Sequence, residues 1–116
     1  MTKSTPFPGR PVRGSESGRP VMALFDLLGR AWAMGIVWQL NPGPCSFREL
    51  QARCDGVSPS VLNKRLRELR ETGLVVHGDS GFALTTLGEE LFGHLENLGA
   101  WSKSWSAELT GKTIPD

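Results

Sequence analysis

Two helix starts stand close together in the middle of this chain, and the turn between them restricts the fold more than any other feature. Ser46-Phe47-Arg48-Glu49 is a capping box: the Ser46 hydroxyl accepts the free N–H at Glu49, and the Glu49 carboxylate reaches back to the Ser46 N–H. Asp55-Gly56 follows as a tight turn. Ser58-Pro59 then opens a second helix, with serine at the cap and proline at the first helical position, where its missing N–H costs nothing. The first of these helices is short, with Phe47, Leu50 and Cys54 turned inward. The second is longer and basic, buries Leu62, Leu66 and Leu69, and ends at Gly73. Two helices joined by a glycine-containing turn make a helix-turn-helix.

The flanks complete the pattern. Pro20 is placed to begin a helix in which Val21, Leu24, Phe25 and Leu28 form an apolar stripe, with Gly29 as its stop. A second helix is expected from Arg30 to Leu40; Trp32, Ala33, Ile36, Val37 and Leu40 make it apolar nearly all round, as a central buried helix should be. Asn41-Pro42-Gly43-Pro44 ends it. Beyond the helix-turn-helix, Leu74–His77 and Phe82–Thr85 are β-prone runs around Gly78-Asp79-Ser80-Gly81, which reads as a hairpin or wing. Thr86-Leu87-Gly88-Glu89 is a second capping box, opening a long helix striped by Leu87, Leu91, Leu95, Leu98, Trp101, Trp105 and Leu109. The fold class is therefore mainly α with a small β-hairpin, a winged helix-turn-helix in the order α-α-α-α-β-β-α. Residues 1–19, with Pro6, Pro8, Pro11, Gly9, Gly14 and Gly18, read as a flexible basic arm. Residues 20–109 are expected to form the winged helix-turn-helix domain, and residues 110–116 a tail.

The net charge of +1 conceals two basic segments. Lys3, Arg10, Arg13 and Arg19 against Glu16 give residues 1–20 a charge of +3. Lys64, Arg65, Arg67 and Arg70 against Glu68 and Glu71 give residues 58–71 a charge of +2, on an otherwise mildly acidic body. A phosphate backbone senses local charge of this kind rather than the total. No apolar run approaches the ~20 residues of a membrane span, and nothing resembles a secretory leader, so a cytoplasmic location is expected. Cys45 and Cys54 are too few for a zinc finger or a disulfide scaffold; Cys54 reads as a core residue and Cys45 as the more accessible thiol. His77 and His94 lack ligand spacing with each other or with the cysteines, and no metal or other cofactor is expected. No catalytic motif or phosphate loop appears, which disfavours an enzyme.

With Leu62, Leu66 and Leu69 set inward, Ser60, Asn63, Lys64 and Arg67 fall on or near the opposite face. These residue types suit a DNA major groove: Arg and Lys donate to guanine or phosphate, and Asn pairs bidentately with adenine. The N-terminal half of such a helix meets the bases, which favours Ser60, Asn63 and Lys64. Ser58, at the cap, stands where free N–H groups favour a phosphate. The plainer reading is a solvated helix face; the capped helix before it and the hairpin after it favour double-stranded DNA. Arg13 and Arg19 of the arm are further candidate DNA contacts, the alternatives being a solubilising tail or a segment folded onto a partner subunit. The wing, with His77, Asp79 and Ser80, reads as a weak contact. The tryptophans at 32, 38, 101 and 105 suit core, subunit interface or an aromatic effector site. A winged-helix protein–protein module remains the alternative function.

The run Leu27-Leu28-Gly29-Arg30-Ala31-Trp32, then Phe47-Arg48-Glu49-Leu50, Val57-Ser58-Pro59-Ser60-Val61-Leu62, Leu66-Arg67-Glu68-Leu69, Gly73-Leu74-Val75 and Leu84-Thr85-Thr86-Leu87-Gly88 together resemble the HxlR-type winged helix family, relatives of the MarR-type regulators. The resemblance covers roughly Pro20 to Trp105. It implies a homodimer paired through the N- and C-terminal helices, with Leu24, Phe25, Leu98, Trp101 and Trp105 as the expected interface, and the second helix of the motif in the major groove. Two features set this chain apart from the family pattern: no redox cysteine precedes the first helix, and the wing is cut to Gly78-Asp79-Ser80-Gly81.

Overall fold

A computed structural model describes residues 4–115. Lys3, counted above with the basic arm, lies outside the described residues. The chain forms α1 (Pro20–Leu28), α2 (Ala33–Leu40), α3 (Phe47–Arg53), α4 (Pro59–Glu71), β1 (Val75–Gly78), β2 (Gly81–Leu84) and α5 (Thr86–Thr110), the element order expected. Its core joins Leu27 of α1, Ile36, Val37 and Leu40 of α2, Leu50 of α3, Leu62, Leu66 and Leu69 of α4, Val75 and Phe82 of the hairpin, and Leu95 of α5. Layers of helix on helix thus close around α2, and the hairpin seals one end.

Three features differ from the sequence reading. The second helix begins at Ala33 rather than Arg30, because Trp32 adopts φ 70, a left-handed conformation that a right-handed helix does not contain. Trp32 is consequently half-exposed, its ring over Gly35, instead of lying in the core. In α1 the buried residues are Ala23, Leu27 and Leu28, whereas Val21 and Phe25 of the expected stripe face outward. The last helix is capped by Thr85 rather than Thr86, and no capping box forms there. The Thr85 hydroxyl accepts from Gly88 N at 3.1 Å and donates to Gly73 O at 2.6 Å, so it ties the helix start to the end of α4.

Residues 4–19 do not behave as a free arm. Pro6 is buried, and Pro6 and Pro8 line a small apolar hollow with Pro20, Ala23, Leu24 and Leu27. Thr5 donates to the Glu71 carboxylate. Gly9 N–H donates to Gly18 O at 2.9 Å, and Val12 and Ser15 exchange two backbone hydrogen bonds of 2.9 and 3.0 Å. The segment is therefore a strap laid along α1. Proline-rich sequence was misleading here because its few apolar side chains pack on a helix rather than on each other.

The hairpin pairs Val75 with Leu84 and Gly78 with Gly81, leaving Asp79 and Ser80 as its two-residue tip. A third segment joins its second strand: Cys45 N–H donates to Phe82 O at 2.9 Å and Phe82 N–H to Cys45 O at 2.8 Å. This pairing buries Cys45, contrary to its expected accessibility. At the end of α4, Leu74 N–H reaches Leu69 O at 2.9 Å and Gly73 N–H reaches Arg70 O at 3.1 Å, the Schellman pattern that glycine at φ 78 permits. α5 runs to Thr110 and stops at left-handed Gly111. No single helix among the described residues is long and apolar enough to cross a membrane.

Candidate nucleic-acid interface

The surface around α4 is built by three local devices. The capping box at Ser46 is present, with Glu49 N donating to Ser46 Oγ at 3.1 Å and Ser46 N to Glu49 Oε1 at 3.0 Å. These bonds, the Ser46 backbone N–H first, hold the Glu49 carboxyl below its ordinary pKa. In the turn, Asp55 and Gly56 both take positive φ, and Gln51 Nε2 clamps it by donating to Val57 O at 2.9 Å. Ser58 caps α4, accepting from Val61 N at 3.2 Å. Its oxygen is therefore engaged in the fold even though the residue is exposed.

α4 presents its predicted faces. Leu62, Leu66 and Leu69 are buried; Ser60, Asn63 and Arg67 are exposed, and Lys64 is half-buried. Successive residues are turned by roughly 100°, so Ser60 and Arg67 occupy the middle of the outer face while Asn63 and Lys64 lean to its two edges. Asn63 lines an open groove with Ser46, Phe47 and the wing residues His77 to Phe82. The His77 ring stacks on Phe82, centroids 4.1 Å apart. Lys64 lines a polar hollow with Arg13, Asp26, Gly29, Arg30 and Arg65.

What the sequence did not reveal is how α4 is held. Glu68, counted above as surface charge, is only 1 % exposed. Its carboxylate accepts from Arg30 Nη1 and, at 2.9 Å, from Arg65 Nη1, while Arg65 Nε donates to Ala31 O at 2.8 Å. A buried charge must be paired, and these two guanidinium groups pair it. The spacing of Arg65 and Glu68 was a visible clue to one pair; Arg30 is too distant in sequence for any local signal.

The arm candidates separate. Arg13 is brought beside Lys64, but Arg19 sits at the N-cap of α1, whose first residue Pro20 faces Pro6, Thr72 and Leu74 at the other end of α4. Of the proposed interface residues, Phe25, Leu98, Trp101 and Trp105 are all more than half exposed, whereas Leu24 is half-buried beneath Pro6 and Pro8. The Trp101 and Trp105 rings lie near-parallel, centroids 6.2 Å apart. Trp38 packs instead against Phe92, at 5.2 Å. Both cysteines are free and fully buried, and burial pushes their pKa values up. Among the described residues no group of three or more His, Cys, Asp or Glu could hold a metal ion.

The family described as HxlR-like helix-turn-helix matches residues 27–110. An HTH-type transcriptional regulator of Methanocaldococcus jannaschii is 30% identical over 97 residues, 80% of this chain and 92% of the relative. The HTH-type transcriptional regulator YvaP of Bacillus subtilis is 31% identical over 87 residues, covering 69% of this chain and 81% of YvaP. Among solved structures, quinone-bound YodB of B. subtilis superposes with a TM-score of 0.69 at 28% identity, covering 73% of this chain and 97% of YodB. A MarR-family regulator from Porphyromonas gingivalis, 22% identical with a TM-score of 0.66 over 76% of this chain and 93% of its own, supports the winged-helix fold. Sequence, fold and the exposed face of α4 lead to one conclusion: this chain belongs to the HxlR-like helix-turn-helix family, DNA-binding transcriptional regulators rather than enzymes.

Proposed function

We propose that the protein is a sequence-specific, double-stranded DNA-binding regulator that works in the cytoplasm as a homodimer, with α4 in the major groove. The observation that carries the reading is the outer face of α4: Ser60, Asn63 and Arg67 stand exposed on a helix whose opposite side is locked by three leucines and whose flank is held by the Glu68 ion pairs. Such a helix presents donors and acceptors to base edges without having to order itself first.

The dimer rests on α5. At ~1.5 Å per residue its 25 residues span about 37 Å, and beyond Leu95 the apolar Leu98, Trp101, Trp105 and Leu109 are left in water. The radius of gyration, 15.3 Å, exceeds the ~13 Å of a compact chain of this size, as a projecting helix end requires. A two-fold copy presenting the same surface would cover these residues. It would also set two recognition helices about one DNA turn, ~34 Å, apart.

Selection of bound duplexes from a random pool, at stated salt, is the test. The expected product is a palindrome with half-sites about one turn apart. Failure to retain any duplex, with no salt-dependent shift of random DNA, would leave the protein–protein module as the reading. A second proposal, control by a small aromatic effector, is favoured by the likeness to quinone-bound YodB. Release of the selected duplex by a quinone, measured by anisotropy, tests it.

A further inference from the structure

The hollow beside α4 is a built cationic site that the strap completes. Arg13 occupies the tip of a tight turn closed by the paired Val12 and Ser15, and Gly14 follows it at φ 82. The backbone N–H of Arg13 donates to Asp26 Oδ2 at 3.1 Å, which fixes this tip to α1 next to Lys64. Arg30 and Arg65, which share the hollow, are already committed to Asp26 and Glu68. The Arg13 guanidinium and the Lys64 ammonium have no acidic partner among the described residues. Four cations against the Asp26 and Glu68 carboxylates leave the site at +2.

Its position gives the charge a use. A helix of ~10–12 Å diameter fills a major groove ~12 Å wide, so the two edges of a recognition helix each run beside one phosphate strand. On α4 the Asn63 edge faces the wing and the Lys64 edge faces this hollow. We infer that Arg13 and Lys64 form a phosphate-oxyanion site, filled by a backbone phosphodiester on the strand opposite the wing. The inference rests on α4 being the recognition helix. It reassigns Lys64 from base reading to backbone contact, and it makes the strap part of the DNA surface. An acidic-tipped wing leaves the other flank poor in positive charge, so the electrostatic share falls to this side.

The test compares wild type with Arg13→Gln, Lys64→Gln and Arg10→Gln. Arg10 belongs to the same strap and carries the same charge, but its guanidinium stacks over Phe7, 4.4 Å from the ring centre. Duplex affinity is measured from 50 to 200 mM salt, and inorganic phosphate is titrated into each free protein by NMR. A backbone site predicts that Arg13→Gln and Lys64→Gln each lower the slope of log K against log salt by about 0.9, weakening all sequences alike, while Arg10→Gln keeps the wild-type slope. Unchanged slopes with saturable phosphate shifts, present in wild type and lost in Arg13→Gln, would support the oxyanion site with free phosphate as its source. Unchanged slopes with no phosphate response, or an equal loss in Arg10→Gln, overturn the site. If wild type binds no duplex at any salt, the DNA reading itself fails, and the phosphate titration alone decides the site.

Discussion

Arg30, at the corner between α1 and α2, donates from Nη1 to Oε2 of Glu68, a carboxylate in the C-terminal half of α4. The bond fixes the recognition helix to the body of the domain along the flank next to Lys64. Removing one partner of a buried pair leaves the other charge uncompensated, and this costs about 3 kcal/mol or more. Glu68→Ala is therefore expected to lower stability by about that amount, which would strand both Arg30 and Arg65. Urea unfolding measures it; a loss below about 1 kcal/mol would show that the pairs contribute little.

Asn63 leans from the outer face of α4 toward the wing, where a base edge would lie. Asn63→Ala is expected to weaken the selected operator by roughly 1–3 kcal/mol and random duplex hardly at all. Equal losses on both DNAs would place Asn63 on the backbone instead.

Trp101, 59% exposed, and Trp105, 53% exposed, stack on each other but on little else. Replacing both by alanine is expected to raise the dimer dissociation constant by at least tenfold, and operator affinity should fall with it. Sedimentation at micromolar protein gives the answer. A double variant that stays fully dimeric, or a wild type that is monomeric, removes α5 from the interface.

Cys45 and Cys54 titrate above the ordinary thiol range because burial disfavours the thiolate. Their protons are held in the folded state and lost first by the unfolded chain. Stability is thus unaffected by these groups at neutral pH and falls as pH rises past the ordinary thiol range. Urea midpoints that decline there in wild type, and decline less in Cys45→Ala with Cys54→Ala, are the expected result. Native protein should also resist alkylation at neutral pH, with both thiols reacting once it is unfolded; rapid native labelling would contradict the burial.

The helix-turn-helix was legible because its signals are local. Ser46, Glu49 and Ser58 cap helices by short-range bonds, Pro59 fits a first helical position, and Leu62, Leu66 and Leu69 keep a period that only a helix satisfies. What escaped was decided at a distance. Cys45 is buried by pairing with Phe82 and Glu68 by Arg30, and residues 4–19 are ordered by α1 and Glu71. Trp32 escaped for another reason: apolar periodicity continues through it, but its backbone turns left-handed at a corner that hydrophobicity does not encode. The site was half visible. The residue types on the outer face of α4 were, but the split between an Asn63 edge and a Lys64 edge needed the neighbours that only the fold supplies.

At Gly81 a β-carbon would stand 2.5 Å from the Cys45 carbonyl oxygen, so the first position of β2 is closed to any larger residue. Immediately before it, Asp79 and Ser80 are exposed. Change is thereby channelled: the strand residue beside the tip is frozen, while the tip itself is an open port. Each doubling of a flexible loop costs only about 0.6 kcal/mol in closure entropy. A diverging gene copy, or a designer, could graft a longer, arginine-bearing tip between Asp79 and Ser80 and retune DNA preference without disturbing the helices that carry the rest of the protein.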